Sequence, residues 1–340
     1  MTTTPDAAPA PLGPGEVVLA FDVGGTDTKS AIVDADGRVL GVTRTPTPLD
    51  GERTADAVVA HVAELAAGLR DAHPGLQPVA AGLLVPGIVD AERGVGVYAS
   101  NLGWHDAPIR DLAEAALGLP VAFHHDVTAA SWAEHRLGAA RAYDDVVVLV
   151  IGTGIAGSLI LDGRPHLGGG YAGEIGHSPV ADGPQCPCGA WGCLEAVASA
   201  GAIVRRYTER TGEPVAGARE DLALAQAGDP DAAAVWEGAL DGLAFAVAQL
   251  AATVAPEAIV IGGGLSRAGD ALFAPLTSRV DARLSFHRRP LLVPAQLGQD
   301  AGLLGAALIA RERVGEAGGE AVDEGVDVGV GEPIDKGVGA

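Results

Sequence analysis

The chain has 340 residues, 48% of them hydrophobic, and its formal net charge is −22. That length accommodates two domains with separate cores. The acidic balance argues against a nucleic-acid partner, because binding a polyanion needs clustered Lys and Arg. No apolar run approaches the roughly 20 residues of a membrane-spanning helix. The N-terminus also lacks a signal-peptide pattern, so we expect a cytoplasmic protein with no membrane contact.

Both ends of the chain are biased in composition. Residues 1–15 are rich in Pro and Ala, and residues 315–340 hold seven acidic residues and abundant glycine. The second segment has no periodic apolar face, and we predict a disordered lead and a disordered acidic tail. Lys29 and Lys336 are the only lysines. A bound phosphate must therefore be met mainly by backbone N–H groups, arginines or a metal ion.

Strand and helix patterns alternate between these ends, which predicts an α/β fold. Three strands with glycine-rich turns come first, and a helix and a buried strand follow them. A second helix, a short strand and a helix that begins at Asp126 complete the first half. The predicted strands are 17–23, 29–34, 38–45, 79–85 and 121–125, and the predicted helices are 54–72, 107–118 and 126–141.

The opening pattern repeats further along the chain. Residues 144–163 form a second apolar strand, glycine turn and returning strand, roughly 130 residues after the first. A helical region (229–255), an apolar strand that reaches glycines (257–266) and a last helix (301–314) follow. Two related hairpins predict two related lobes with a cleft between them. We assign 16–120 with 300–314 to the first lobe and 121–299 to the second.

Three glycine turns follow apolar strands, and none has the Walker A or G-x-G-x-x-G spacing. Such a turn presents N–H groups to a phosphate, and Asp22 beside the first can hold Mg²⁺ through water. An ordinary hairpin is the alternative, but the recurrence of the turns favours a nucleotide cleft. The predicted nucleotide-binding residues are Asp22, Gly24, Gly25, Thr26, Gly152, Thr153, Gly154, Gly262, Gly263 and Gly264.

All three cysteines lie within eight residues. His177, Cys186, Cys188 and Cys193 supply one nitrogen and three thiolates, the donor set of tetrahedral zinc. Four protein ligands leave no open position, which predicts a structural Zn²⁺ site in the loop 177–193. The alternative of three unrelated buried thiols is disfavoured by the proline and glycines that bend the backbone between them.

Nine motifs, taken together and in order, resemble the ROK family of sugar kinases and repressors in the actin/hexokinase-like superfamily. The motifs are DVGGT (22–26), VPGIVD (85–90), SNLGWHD (100–106), HDVTAA (125–130), IGTGIAG (151–157), GEIGH (173–177), CPCGAWGCLE (186–195), IVIGGG (259–264) and DAGLLGAA (300–307). The resemblance covers residues 16–314. It implies two actin-like (ribonuclease H-like) lobes, with ATP and a hexose in the cleft. It also implies transfer of the γ-phosphoryl group to a sugar hydroxyl, usually on C6, by a homodimer or homotetramer.

The resemblance also implies roles for individual residues. Asp126 matches the catalytic aspartate that accepts the proton of the sugar hydroxyl; a helix cap is the alternative, and both roles can coexist. The implied sugar contacts are Asn101, Asp126, Glu174, His177 and Glu195. Outside the resemblance, Asn101 is a turn residue and the two glutamates are solvated surface charges.

The sequence departs from the family at two positions. His125 stands where the family usually has an Asn that touches the C3–C4 hydroxyls. It either replaces that amide neutrally or changes recognition there, for an amino sugar such as kanosamine (3-amino-3-deoxyglucose). Asp27 stands where the family often has Lys or Asn; it either strengthens the Mg²⁺ requirement or points to solvent.

Two other functional classes compete with a kinase. Repressors of the family carry a helix-turn-helix domain before the first glycine motif, whereas about 20 residues without Lys or Arg precede Asp22 here, which disfavours DNA binding. A non-catalytic sugar sensor is disfavoured because Asp126 and all three glycine turns are retained.

Overall fold

The computed structural model describes residues 8–319, and the side chains of residues 8–315. Residues 1–7 of the predicted lead and 320–340 of the predicted tail lie outside that range. The strands are β1 (Val18–Val23), β2 (Asp27–Val33), β3 (Val39–Pro46), β4 (Ala80–Val85), β5 (Ile88–Asp90), β6 (Val95–Ala99), β7 (Trp104–Ala107), β8 (Val121–His125), β9 (Val146–Ile151), β10 (Ile155–Leu161), β11 (Arg164–His166), β12 (Ala258–Gly262) and β13 (Leu291–Pro294). The helices are α1 (Thr54–Ala72), α2 (Ile109–Leu117), α3 (Asp126–Leu137), α4 (Leu194–Ala198), α5 (Ala200–Thr211), α6 (Ala218–Gln226), α7 (Pro230–Thr253), α8 (Asp270–Arg283) and α9 (Ala301–Gly319).

Two mixed five-stranded sheets have the same topology. The first has the order β3-β2-β1-β4-β8 and the second β11-β10-β9-β12-β13. In each sheet a hairpin supplies the antiparallel strands, and its first strand pairs in parallel with a later strand. The central strands β1 and β9 are almost wholly buried apolar runs, as expected of strands covered on both faces. The predicted α/β fold is confirmed.

Helices cover both faces of each sheet. In the first lobe, α1 and α2 pack on one face of β1 and β4, and the small side chains of α9 pack on the other. In the second lobe, α7 is the central helix of the largest core cluster, which lies on one face of β9 and β12. Helix α3 contacts both α9 and β10, so it lies between the two lobes.

The lobe boundary predicted at residue 120 is wrong by one strand. β8 pairs in parallel with β4, from Ala81 opposite Val121 to Val85 opposite His125, and is the edge strand of the first sheet. Phe123 is buried in the core beneath α1 and α2. The second lobe therefore begins after β8, because the apolar side chains of this strand complete the first core.

The predicted disorder at the two ends is wrong where the structure describes the chain. Residues 8–15 have no regular secondary structure, but they are held on the first lobe. The guanidinium of Arg311 donates to the carbonyls of Gly13 and Glu16, and the N–H of Ala10 donates to the carbonyl of Leu137. Leu12 packs against two core clusters. At the other end, α9 continues through residues 315–319.

A third sheet, absent from the sequence prediction, contains β5, β6 and β7 in antiparallel order. It carries the motifs at 85–90 and 100–106 and places Asn101 in the turn between β6 and β7. None of the helices between residues 8 and 319 combines the length and the hydropathy needed to cross a membrane.

Candidate active site

The first glycine turn joins β1 to β2 and is closed by local hydrogen bonds. The Gly24 N–H donates to the carbonyl of Asp27 at 2.9 Å, and the Thr47 hydroxyl donates to the carbonyl of Gly24 at 2.7 Å. A Cβ at Gly25 would lie 2.6 Å from Nδ2 of Asn101. Asn101 therefore lies directly on this turn, and a side chain at position 25 would displace it.

Asp22 is the penultimate residue of β1 and is held in place by a cation and by the start of α9. Lys29, its antiparallel partner on β2, donates from Nζ to Asp22 Oδ2 at 3.2 Å and to the carbonyl of Gln299 at 3.1 Å. On the opposite side, the Asp22 carboxylate fills the space that a Cβ at Gly302 would need. A carboxylate at a helix N-terminus is stabilised by the helix dipole.

Asp27 does not join this group. Its Oδ2 lies 3.0 Å from the guanidinium of Arg44 on β3, and the Arg44 side chain is 60% exposed. Of the two alternatives for Asp27, the structure therefore favours a surface ion pair over a contribution to the phosphate turn.

The second glycine turn joins β9 to β10 and contacts Glu195, one of the residues predicted to bind the sugar. The Gly152 N–H donates to the carbonyl of Gly154 at 2.9 Å. Glu195, on α4, accepts from the N–H of Ile155 through Oε2 at 2.8 Å. That oxygen occupies the space that a Cβ at Gly154 would need. Thr153 therefore lies at the tip of a turn supported by Glu195.

The third glycine turn, Gly262–Gly264, follows β12 beside the end of β9. Gly263 has a φ of +80°, and its Cα lies against the carbonyl of Ile151, so neither the backbone conformation nor the space admits a side chain. The second and third turns therefore lie side by side. Next to the third turn, a cavity of about 400 Å³ between α8 and β13 is lined by Ser266, Phe273 and Thr277, among others.

Asp126 is the first residue of α3, directly after β8. Its Oδ1 accepts from the N–H of Val127 at 2.6 Å and lies 3.2 Å from His125 Nε2. Burial raises the pKa of Asp126 from 3.8 to about 7, and the charges of Asp22 and Glu174 contribute to the rise, while the Val127 N–H opposes it. His125, not Asp126, occupies the cap position of α3. Asp126 thus has the pKa of a general base that works near neutral pH.

Glu174 and His177 lie on the side of the cleft formed by the second lobe. Glu174 Oε2 is 3.9 Å from His177 Nε2, and the charge of Glu174 acts on both His125 and Asp126. The other ring nitrogen, Nδ1, lies 3.7 Å from the sulfur of Cys186. One imidazole therefore connects the predicted sugar site with the cysteine cluster.

The four predicted zinc ligands converge. One donor atom from each of His177, Cys186, Cys188 and Cys193 lies within 4.8 Å of the other three. The sulfurs of Cys188 and Cys193 are 3.7 Å apart, which excludes a disulfide but suits a metal site, since tetrahedral zinc separates its donors by roughly 3.5–3.8 Å. Cys186 and Cys193 are buried and Cys188 is exposed. The donor set and its spacing fit Zn²⁺.

Residues 18–313 match the sequence model of the ROK family. The chain belongs to the ROK family. It is 36% identical to a glucokinase of Thermotoga maritima over 88% of this chain and 98% of that protein. It is 33% identical to an N-acetylmannosamine kinase of Escherichia coli over 87% and 99%.

Solved structures of the family have the same fold. A ROK hexokinase from Thermus thermophilus superimposes with a TM-score of 0.77 at 36% identity, over 88% of this chain and 99% of that one. A ROK family glucokinase from Streptomyces griseus, in complex with glucose and AMPPNP, gives a TM-score of 0.72 at 31% identity, over 87% and 99%.

Relative to the family pattern, His125 is the departure that reaches the centre of the site. Burial lowers the pKa of His125, and the charge of Glu174 only partly opposes that change. The ring is therefore neutral at pH 7. It lines a small cavity of about 20 Å³ together with Thr128 and Glu174.

Sequence reasoning missed two residues of this ROK site. Lys29 faces Asp22 across the first hairpin. The register of a tight hairpin could have predicted this pair from the sequence. Thr128 lies three residues after His125 and places its hydroxyl 3.4 Å from His125 Nδ1. Residues three positions apart at the start of a helix lie on the same side of that helix, so the sequence spacing could have predicted this contact as well.

Proposed function

We propose that this chain is an ATP-dependent hexose kinase that phosphorylates the C6 hydroxyl of glucose or of a C3-modified amino sugar such as kanosamine. Membership of the ROK family and the glucokinases among its relatives support the reaction class. The observation that carries the proposal is the Asp126 carboxylate, at the junction of β8 and α3, with a pKa of about 7 and facing Asp22 and Glu174.

Asp126 acts as the general base. The sugar hydroxyl oxygen attacks the γ-phosphorus, the bond from that phosphorus to the β–γ bridging oxygen breaks, and the hydroxyl proton passes to Asp126. ADP leaves and the sugar carries a new phosphate ester. Because phosphoryl transfer depends on positioning and charge stabilisation, the remaining residues serve to hold the two substrates.

The glycine turns hold the nucleotide. Their backbone N–H groups suit phosphate oxygens in a chain with one lysine between residues 8 and 319, and Lys29 is already paired with Asp22. Asp22 is the residue that would hold Mg²⁺, through water, where the ion would neutralise phosphate charge. The cavity between α8 and β13, beside the third turn, has room for the nucleobase.

The sugar is bound by groups from both lobes. The proposed contacts are Asn101, His125, Asp126, Glu174, His177 and Glu195. Two glutamates and a neutral imidazole suit an ammonium group on the sugar, because the carboxylates attract it and an uncharged ring does not repel it. The proposed site therefore suits an amino sugar as well as glucose.

Zn²⁺ has a structural role in this proposal. His177 Nδ1 and three sulfurs would complete its coordination, and the Glu174 carboxylate on the other ring nitrogen would orient the imidazole. The metal would hold the loop so that Glu174 and Glu195 keep their positions.

The test is turnover with a panel of hexoses and Mg·ATP. ADP release is followed by a coupled assay, and the position of the new phosphate ester by ³¹P NMR. A sugar-6-phosphate equimolar with ADP supports the kinase, and sugar-independent or absent ADP release across the panel refutes it. Values of kcat/KM for glucose and kanosamine, measured side by side, decide the substrate; a clear preference for glucose ends the amino-sugar proposal.

A further inference from the structure

We propose that His125 positions the catalytic base: its Nε2–H donates to Asp126, and the Thr128 hydroxyl fixes the ring from the opposite side. The inference rests on the proposed role of Asp126 in the kinase reaction. It assigns to His125 and Thr128 a function other than contact with the sugar.

The inference rests on two contacts that link Thr128 to His125 and His125 to Asp126. His125 Nε2 lies 3.2 Å from Asp126 Oδ1, and His125 Nδ1 lies 3.4 Å from the Thr128 hydroxyl oxygen. The side chains of His125 and Asp126 are only 19% and 26% exposed. Each ring nitrogen thus has one protein partner, so the ring can orient Asp126 in addition to any contact that it makes with the sugar.

The direction of each hydrogen bond follows from the chemistry of the groups. An ionised carboxylate only accepts, so the nitrogen that faces Asp126 must carry the proton. A neutral imidazole has one N–H, so Nδ1 is bare and must accept from the Thr128 hydroxyl. The chain of hydrogen bonds therefore runs from the Thr128 O–H to the His125 ring and from the ring to Asp126, and it allows one tautomer of His125 when Asp126 is ionised.

This arrangement leaves the two oxygens of Asp126 unequal. Oδ1 accepts from the Val127 N–H as well as from His125. Oδ2 is then the oxygen that takes the proton of the sugar hydroxyl, and the ring keeps the carboxylate from rotating.

The same hydrogen bond sets how far the base is ionised. Asp22 from β1 and Glu174 from the second lobe face Asp126 and favour its protonated form. The Val127 N–H on α3 and the His125 N–H on β8 favour the ionised form, because a donor stabilises the charge it faces. Removal of the His125 donor should therefore raise the pH below which the base is protonated.

The experiment compares pH profiles of kcat/KM for the best sugar found in the panel, from pH 5.5 to 9. His125→Phe keeps a ring and removes both nitrogens. We expect its acid limb to move up by about one pH unit, which is about a tenfold loss at pH 6 and a much smaller loss at pH 9. Thr128→Val keeps the branched shape and should move the limb in the same direction by a smaller amount. In the His125→Phe background it should have no further effect.

Ser131→Ala is the matched control. Its hydroxyl lies one turn further along α3 and donates to the Val127 carbonyl at 2.6 Å, not to the His125 ring. This variant should leave the acid limb in place. A raised KM for the sugar with an unmoved acid limb in both His125→Phe and Thr128→Val would overturn the inference, because His125 would then contact the sugar only.

A measurement without turnover separates this inference from the proposed function. At pH 9, where Asp126 is ionised, ¹⁵N NMR of the histidine rings in the wild-type protein should show His125 protonated at Nε2 and bare at Nδ1, and Thr128→Val should shift the Nδ1 resonance. The opposite tautomer refutes the inference even in an active kinase. A protein with the expected tautomer but no activity on any hexose refutes the kinase proposal instead.

Discussion

Replacement of Asp126 by Asn keeps the shape of the side chain and removes its charge, so it separates catalysis from stability. The amide oxygen can still accept from the Val127 N–H. Loss of the proposed general base should lower kcat by about 10²–10⁴-fold. The same change should stabilise the fold above neutral pH, because the variant no longer places a charge next to Asp22 and Glu174.

The magnitude follows from the pKa. Folding raises the pKa of Asp126 from 3.8 to about 7, so the unfolded chain ionises first and the wild-type protein loses stability as the pH rises between these values. The upper limit is about 4 kcal/mol. Because 26% of the side chain faces solvent, we expect about 1–2 kcal/mol for Asp126→Asn at pH 8. At pH 5, less than half of that gain should remain.

Urea unfolding of both proteins at pH 5 and pH 8, without nucleotide, measures the gain. Asp27→Asn is the control, since it neutralises a carboxylate that pairs with Arg44 at the surface. An equal change in stability at both pH values would show that the charge of Asp126 is not the cause. Turnover close to wild type in folded Asp126→Asn would remove Asp126 as the base.

Three further predictions concern the structure around the site. Cys193→Ser should lose the proposed structural zinc, measured as metal content by mass spectrometry, and should unfold at a lower urea concentration. Metal content equal to wild type would refute the site. Gly154→Ala should raise the KM for the sugar several-fold, because the added Cβ meets Glu195 Oε2, whereas Gly217→Ala, in open space at the start of α6, should not. Arg311→Met removes donors to the carbonyls of residues 13, 16 and 34 and should lower the free energy of unfolding by about 1–3 kcal/mol. Rapid proteolysis in residues 8–15 should accompany it; a wild-type cleavage pattern would contradict this prediction.

The sequence pattern predicted both ends of some helices and strands correctly. The helix at 54–72 and the strand at 121–125 have the predicted bounds. The strands β5, β6 and β7 were missed because they have three to five residues and alternate irregularly between buried and exposed positions. Order in residues 8–15 was also missed, because it depends on an arginine about 300 residues away and not on local composition.

In the candidate site, too, some contacts follow from local sequence and others depend on distant parts of the chain. The motifs predicted the candidate site residues. Hairpin register and helical spacing could also have predicted Lys29 opposite Asp22 and Thr128 beside His125. The hydrogen bond from the Ile155 N–H to Glu195 spans 40 residues and joins a strand turn to a helix. No periodicity predicts such a contact, because it depends on how α4 packs under the second sheet.

The four predicted site carboxylates differ in the donors and cations that they face. Three of the four predicted site carboxylates each face a donor or a group that can carry a positive charge. The pairs are Asp22 with Lys29, Glu174 with His177, and Glu195 with the Ile155 N–H.

Asp126 is the fourth, and its nearby donors are the N–H of the next residue and the neutral ring of His125. It is also the carboxylate at the junction between the lobes, so the charges of Asp22 and Glu174 reach it from opposite sides of the cleft. Burial, and after it these two like charges, raise the pKa of Asp126 to about 7. Neighbouring acidic side chains thus contribute, at position 126, to a carboxylate with the pKa that the proposed general base needs.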